Sequence, residues 1–174
     1  MAFLVPIIGR TRDQANLARC RDNLRKIGTG MIQYARLNGR SLPVGNAVDD
    51  SRAQFLPSLA AAQCNGAPGI YYCPSEPSPS LGFNEHNFKS GVIGYYYYSA
   101  LHSSNNPKIS RFLRSGVPWP RKLNTTMDPR TWVMSDVWIS GVPTSHSAYR
   151  KGVNYLTLDG GVAFISDSPR QAFH

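Results

Sequence analysis

The sequence predicts an α+β fold, a long N-terminal α-helix packed on a small antiparallel β-sheet in a loop-rich body. Three observations lead there. Leu17, Cys20, Leu24, Ile27, Met31 and Tyr34 follow one another at alternating steps of three and four, which lines them along one side of a helix. The β-prone runs all come after that helix, without the alternation of strands and helices that a parallel sheet requires. The 13 prolines and 15 glycines fall almost entirely beyond residue 38, so the remainder of the chain turns often.

The helix is expected over Thr11 to Gly39. Arg19, Arg21, Asp22, Arg25, Lys26 and Gln33 fall mostly opposite the apolar stripe, which makes it amphipathic. Gly39 supplies a C′ residue that tolerates positive φ, and Pro43 keeps the helix from resuming. Gly28 and Gly30 each cost roughly 1 kcal/mol in helix propensity, which suits a close approach of the sheet. Upstream stands MAFLVPII, far short of the about 20 apolar residues a spanning helix needs, and without the basic segment and cleavage site of a secretory signal. Two readings stay open: a first turn tucked into the core, or the end of a longer apolar helix.

After the helix, Leu42 to Asp50 reads as loop and Gln54 to Gln63 as a short helix or turn broken at Pro57. Ile70 to Cys73 reads as a short strand ending at Pro74, and residues 74–91 as turns. Val92 to Ser99 is β-prone, with alternate tyrosines of Tyr95 to Tyr98 facing the core. Asn105 to Asp128 is a long basic connection, and Thr131 to Val137 is the next strand. The last pair, Val153–Leu158 and Gly161–Ile165, is joined through Asp159 and Gly160, a pairing that suits a two-residue type I′ turn.

The chain of 174 residues suits one domain, residues 1–174, divided into the helix (1–39) and a globular head (40–174). Its 41% hydrophobic and 17% charged content argues against wholesale disorder. A formal charge of +9, from 19 basic and 10 acidic residues, suits nucleic acid or an anionic surface as well as simple solubility. Much of it is spread along the helix. Arg111, Arg114 and Arg121, with Trp119 between two prolines, make the best candidate ligand-binding loop. His86, His102, His146 and His174 form no paired-ligand pattern, and no nucleophile elbow or phosphate-binding glycine loop occurs, which argues against an enzyme.

Of the three cysteines, Cys64 and Cys73 are separated by a turn containing Gly66, Pro68 and Gly69, which favours a disulfide worth roughly 2–3 kcal/mol. Cys20 reads as a small core residue on the buried stripe. No CxxC or paired His/Cys spacing supports zinc.

Several segments together resemble the type IV pilin-like pseudopilins, in particular the large families of Planctomycetes and Verrucomicrobia. They are RTRDQA (Arg10–Ala15), ARCRDNLRKIG (Ala18–Gly28) and Tyr34 on the helix, then GRSLP (Gly39–Pro43) and CPSEP (Cys73–Pro77). VMSD (Val133–Asp136) and the Asp159-Gly160 hairpin complete the series, in the family's order. The family's histidine ten residues before that aspartate is replaced by Tyr149, and His146 lies three residues away.

The resemblance implies a non-enzymatic filament subunit of a type II secretion or type IV pilus-like machine. It implies assembly through the helix that carries Leu17, Leu24, Ile27 and Met31, with other pilin-like subunits and the assembly machinery as partners. It also implies an inner-membrane-anchored precursor, whose apolar helix continues upstream of the stretch seen here, and then a periplasmic or extracellular filament. The major pseudopilins of type II secretion carry a calcium site near the C-terminus, which makes Asp136, Asp159 and Asp167 candidate Ca²⁺ ligands. The alternative is a minor pilin-like module capturing DNA or an anionic glycan through the basic 105–128 loop.

Overall fold

A computed structural model of the chain describes residues 4–43, 68–90, 92–97, 129–137 and 152–166. Helix α1 runs from Leu4 to Leu37 without a break. It starts earlier than the amphipathic pattern, taking in the apolar stretch. Pro6 is tolerated because it falls in the first turn, where backbone N–H groups have no helical acceptor. The helix ends as its sequence requires. Gly39 adopts φ 59°, and Arg40 N donates to Ala35 O at 2.7 Å, the long bond of a Schellman cap. Asn38 adds a side-chain bond to Tyr34 O at 2.8 Å.

The described strands form one antiparallel sheet in sequence order, β1 (Tyr95–Tyr97), β2 (Trp132–Asp136), β3 (Gly152–Thr157) and β4 (Val162–Ser166). Each strand pairs with the next, which is the meander expected when every connection returns the chain antiparallel. A bulge between Trp132 and Met134 shifts the β2–β3 register by one residue. The α+β architecture therefore stands: a long helix lies on one antiparallel sheet.

The core forms between the two layers. Leu24 and Ile27 are wholly buried, and Met31 nearly so, in one cluster with Tyr95, Tyr97, Met134 and Leu156; Leu17 is nearly buried as well. Ala35 rather than Tyr34 completes the stripe; Tyr34 is half-buried. Gly28 permits the closest approach, because a Cβ there would lie 2.8 Å from Leu156 Cδ1. The alternation foreseen for the tyrosines holds where it is described: Tyr95 and Tyr97 face inward and Tyr96 is half-buried. On the outer face Trp132 stacks on Tyr155 with centroids 4.2 Å apart.

Three expectations need correction. Ile70 to Cys73 is not a strand: Pro68–Tyr71 forms a 3₁₀ turn, and Gly94 N donates to Tyr71 O. Its β-prone residues are spent instead on the core, where Tyr71, Tyr72 and Cys73 are buried beside α1. Within 74–91 one short helix appears, α2 (Glu85–Lys89), begun by Asn84, whose side chain accepts from Asn87 N.

The β3–β4 turn is also not of the two-residue type. Gly160 N donates to Thr157 O and Thr157 N to Gly161 O, leaving a three-residue loop in which only Gly160 takes positive φ (85°). Asp159 prefers this form because its Oδ1 accepts from Gly161 N at 2.9 Å and Thr157 Oγ1 at 2.6 Å. The segment Gln54 to Gln63 and the connection 105–128 lie outside the described residues.

Candidate functional site

The inward face of the sheet carries two kinds of row. One row is apolar, with Tyr97 opposite Met134 and Met134 opposite Leu156. The next is polar: Tyr95 opposite Asp136, then Asn154, then Phe164 opposite it. Strand period places Asn154 and Asp136 on the same face as Leu156 and Met134. Both are wholly buried. A carboxylate in that position must be met by donors.

The described donors come from β3 and α1. Asn154 gives Asp136 Oδ2 two bonds, from its backbone N at 2.7 Å and from Nδ2 at 2.8 Å. The Cys20 thiol, from α1, donates to Asp136 Oδ1 at 2.8 Å. Tyr95 Oη lies 3.5 Å from the same sulfur, and Asn154 Nδ2 donates weakly to it at 3.6 Å. Cys73 completes the group from the segment after the 3₁₀ turn, its sulfur within 4.8 Å of Cys20 Sγ. Arg21 closes it from outside, donating Nε to Asn154 Oδ1 at 3.1 Å while its guanidinium lies 5.8 Å above the Phe164 ring.

Electrostatics hold the sulfur as a thiol. Burial pushes the Cys20 thiol well up, and the neighbouring Cys73 and Asp136 push in the same direction. Burial does the same to the Tyr95 phenol. Among the described residues, Cys20, Cys73 and Asp136 are the group of three whose ligating atoms converge, all within 4.8 Å of one another. The arrangement ties α1, the 73 segment, β2 and β3 together at a point nearly closed to solvent, with Cys73 its most exposed cysteine.

The structure distributes the other candidate residues more widely. Asp136 and Asp159 are not brought together. Asp136 stands where β2 meets the beginning of β3, while Asp159 is exposed in the β3–β4 turn, its N bonded to Pro129 O just before β2. The whole of β2 and the residues leading into it lie between them. Hydrogen bonds from Thr157 and Gly161 lower the Asp159 carboxyl below its usual range. Asp167 lies outside the described residues, as do Cys64, Arg111, Arg114, Trp119 and Arg121. Leu24, Ile27 and Met31 are buried in the core shared with the sheet, and Leu17 is nearly buried as well.

Sequence reasoning missed Asn154 and did not connect Cys20 with Cys73. A polar residue in the inward register of an apolar strand, between Val153 and Leu156, was the available signal for Asn154. No helix among the described residues is long and apolar enough to cross a membrane. Compared with known proteins, the chain matches no family model, no curated protein and no solved structure.

Proposed function

We propose that this chain is the subunit of a filament of the type IV pilus or type II secretion class, acting by assembly and not by catalysis. The observation that carries the reading is the division of α1. From Leu17 to Ala35 its stripe is buried on the sheet, whereas Gly9, Arg10, Thr11, Arg12, Gln14 and Ala15 are exposed. A helical segment of this length, about 13 residues from Leu4, is marginal in water by itself. Packing against the same segment of neighbouring subunits would cover the exposed residues from Gly9 to Ala15. The polar cluster and the glycine contact then have a plain role, holding the head at one fixed angle to the rod.

In this reading the precursor is held in the inner membrane by an apolar continuation of α1 and is drawn into a periplasmic or extracellular filament by the assembly machinery. The test is to tag the protein in its native cell, shear the surface fraction and image the pellet by cryo-electron microscopy. Filaments with α1 at their centre, lost when the prepilin peptidase is deleted, are the expected result. A chain that stays monomeric in every fraction, whatever the state of the peptidase, would refute the proposal.

A further inference from the structure

The cluster at the centre of the fold contains more than a hydrogen-bonded carboxylate. Two cysteines from distant parts of the chain, Cys20 on α1 and Cys73 after the 3₁₀ turn, bring their sulfurs to within 4.8 Å. Both are thiols in the structure. The distance is longer than a disulfide bond but within what rotation about two Cα–Cβ bonds covers. Asn23, one turn from Cys20 along the helix, donates Nδ2 to Tyr72 O at 3.1 Å, so the backbones are already clamped beside the pair.

We infer that Cys20 and Cys73 are a redox pair, oxidised to a disulfide that fastens helix α1 to the segment beginning at Pro74, with Asp136 as the base that takes the Cys20 proton. The inference stands independently of the filament reading. It assigns Cys73 to Cys20 in place of Cys64, which lies outside the described residues.

The oxidant is a small-molecule disulfide such as oxidised glutathione. Cys73 reacts first. It is 3% exposed against 0% for Cys20, and it is followed by the exposed Pro74. Its thiolate attacks one sulfur of the oxidant, forming a mixed disulfide and releasing one thiolate. Cys20 then passes its proton to Asp136 Oδ1, along the 2.8 Å hydrogen bond that already exists, and attacks Cys73 Sγ. The mixed disulfide breaks and the second thiolate leaves. The two protein thiols have lost two electrons to the oxidant, and the two released thiolates take up the two protons, one of them by way of Asp136. Asn154 keeps Asp136 aimed at Cys20 through its two bonds to the other carboxylate oxygen. Asp136 is thus a positioning and proton-accepting residue for this one step.

The test uses the whole chain equilibrated in a glutathione redox buffer, quenched with acid, alkylated under denaturing conditions and digested with chymotrypsin, which cleaves at Tyr72 and so separates Cys64 from Cys73. The expected result is an intact mass lower by two hydrogens, one alkylated cysteine (Cys64), and a cross-linked pair of peptides bearing Cys20 and Cys73. Cys64→Ser keeps the cross-link and Cys73→Ser exposes Cys20 to alkylation. Asp136→Asn, which preserves the shape of the side chain, slows formation of the cross-link at least tenfold in the neutral range without moving the site of linkage. A linkage between Cys64 and Cys73 would overturn the inference. So would three alkylated cysteines after oxidation, or one tightly held zinc ion per native chain that protects Cys20 and Cys73 from alkylation before acid or denaturant is added. An unchanged rate in Asp136→Asn would overturn the role given to Asp136.

Discussion

Helix α1 is one continuous rod in two different surroundings. Its second half, from Leu17 to Ala35, lies on the sheet with a stripe that water barely reaches. Its first half has the same backbone hydrogen bonding but exposes Gly9 to Thr11, and most of the following turn, to solvent. The difference shows what propensity can and cannot do. Arg, Gln and Ala are good helix formers and write a helix in either half, but only burial makes one half costly to undo. The lone ion pair described within α1, Asp22 to Lys26 at 2.7 Å, is exposed and contributes at most a few tenths of a kcal/mol.

The contrast is sharpest under truncation to alanine. Leu24→Ala in the packed half is expected to cost 2–5 kcal/mol, roughly, because it leaves a cavity against the sheet. Arg12→Ala in the exposed half is expected to change stability by less than about 0.5 kcal/mol. Urea unfolding followed by circular dichroism measures both. Equal losses would erase the distinction.

Next in size is the polar row. Asp136→Ala strands the Asn154 N–H groups and the Cys20 thiol in the core, which is expected to cost about 3 kcal/mol. Asp136→Asn retains an acceptor and is expected to lose distinctly less. If the two variants unfold at the same urea concentration, the hydrogen bonds to Asp136 are not what holds that corner.

Gly28→Ala sets two effects against each other. The added methyl meets Leu156 Cδ1 at 2.8 Å, yet alanine favours the helix by about 1 kcal/mol. Overpacking of 1–3 kcal/mol wins by a narrow margin, for a net loss of about 1 kcal/mol. A smaller side chain at the contact, Leu156→Val, relieves part of the clash, so a double-mutant cycle is expected to show coupling between the two positions. A stabilised Gly28→Ala protein would mean that the layers can part at no cost.

The last contrast is a pH dependence on the packed side. Burial pushes the Tyr72 phenol up to about 12, and its hydroxyl donates to Val92 O at 2.6 Å. The folded pKa lies above the unfolded value of about 10, so the folded state binds the proton more tightly. The associated stability is intact below pH 10 and is lost as the pH rises towards about 12. Tyr72→Phe is expected to flatten that alkaline limb in a urea titration across the same range.

How much of this was legible beforehand depends on how local the cause is. The stripe from Leu17 to Met31, the Gly39 cap and the β3–β4 hairpin are set by neighbours within a few residues, and periodicity exposed them. Ile70 to Cys73 misled because its β-prone side chains are satisfied by the face of α1 and not by a neighbouring strand. The Asp159-Gly160 pair correctly marked a turn, but the Asp159 carboxylate, by capturing Thr157 and Gly161, selected a different turn type. The buried cluster was least legible. Its members stand at positions 20, 73, 136 and 154, and their meeting is a property of register and layer packing that no single segment encodes.

Hydrogen exchange along α1, read amide by amide, tests the central claim most directly. If the second half is held by the sheet and the first is not, amides from Leu24 to Ala35 exchange only through global unfolding. Those from Arg12 to Ala15 then exchange orders of magnitude faster by fraying. Uniform protection along the helix in the isolated protein would contradict this account.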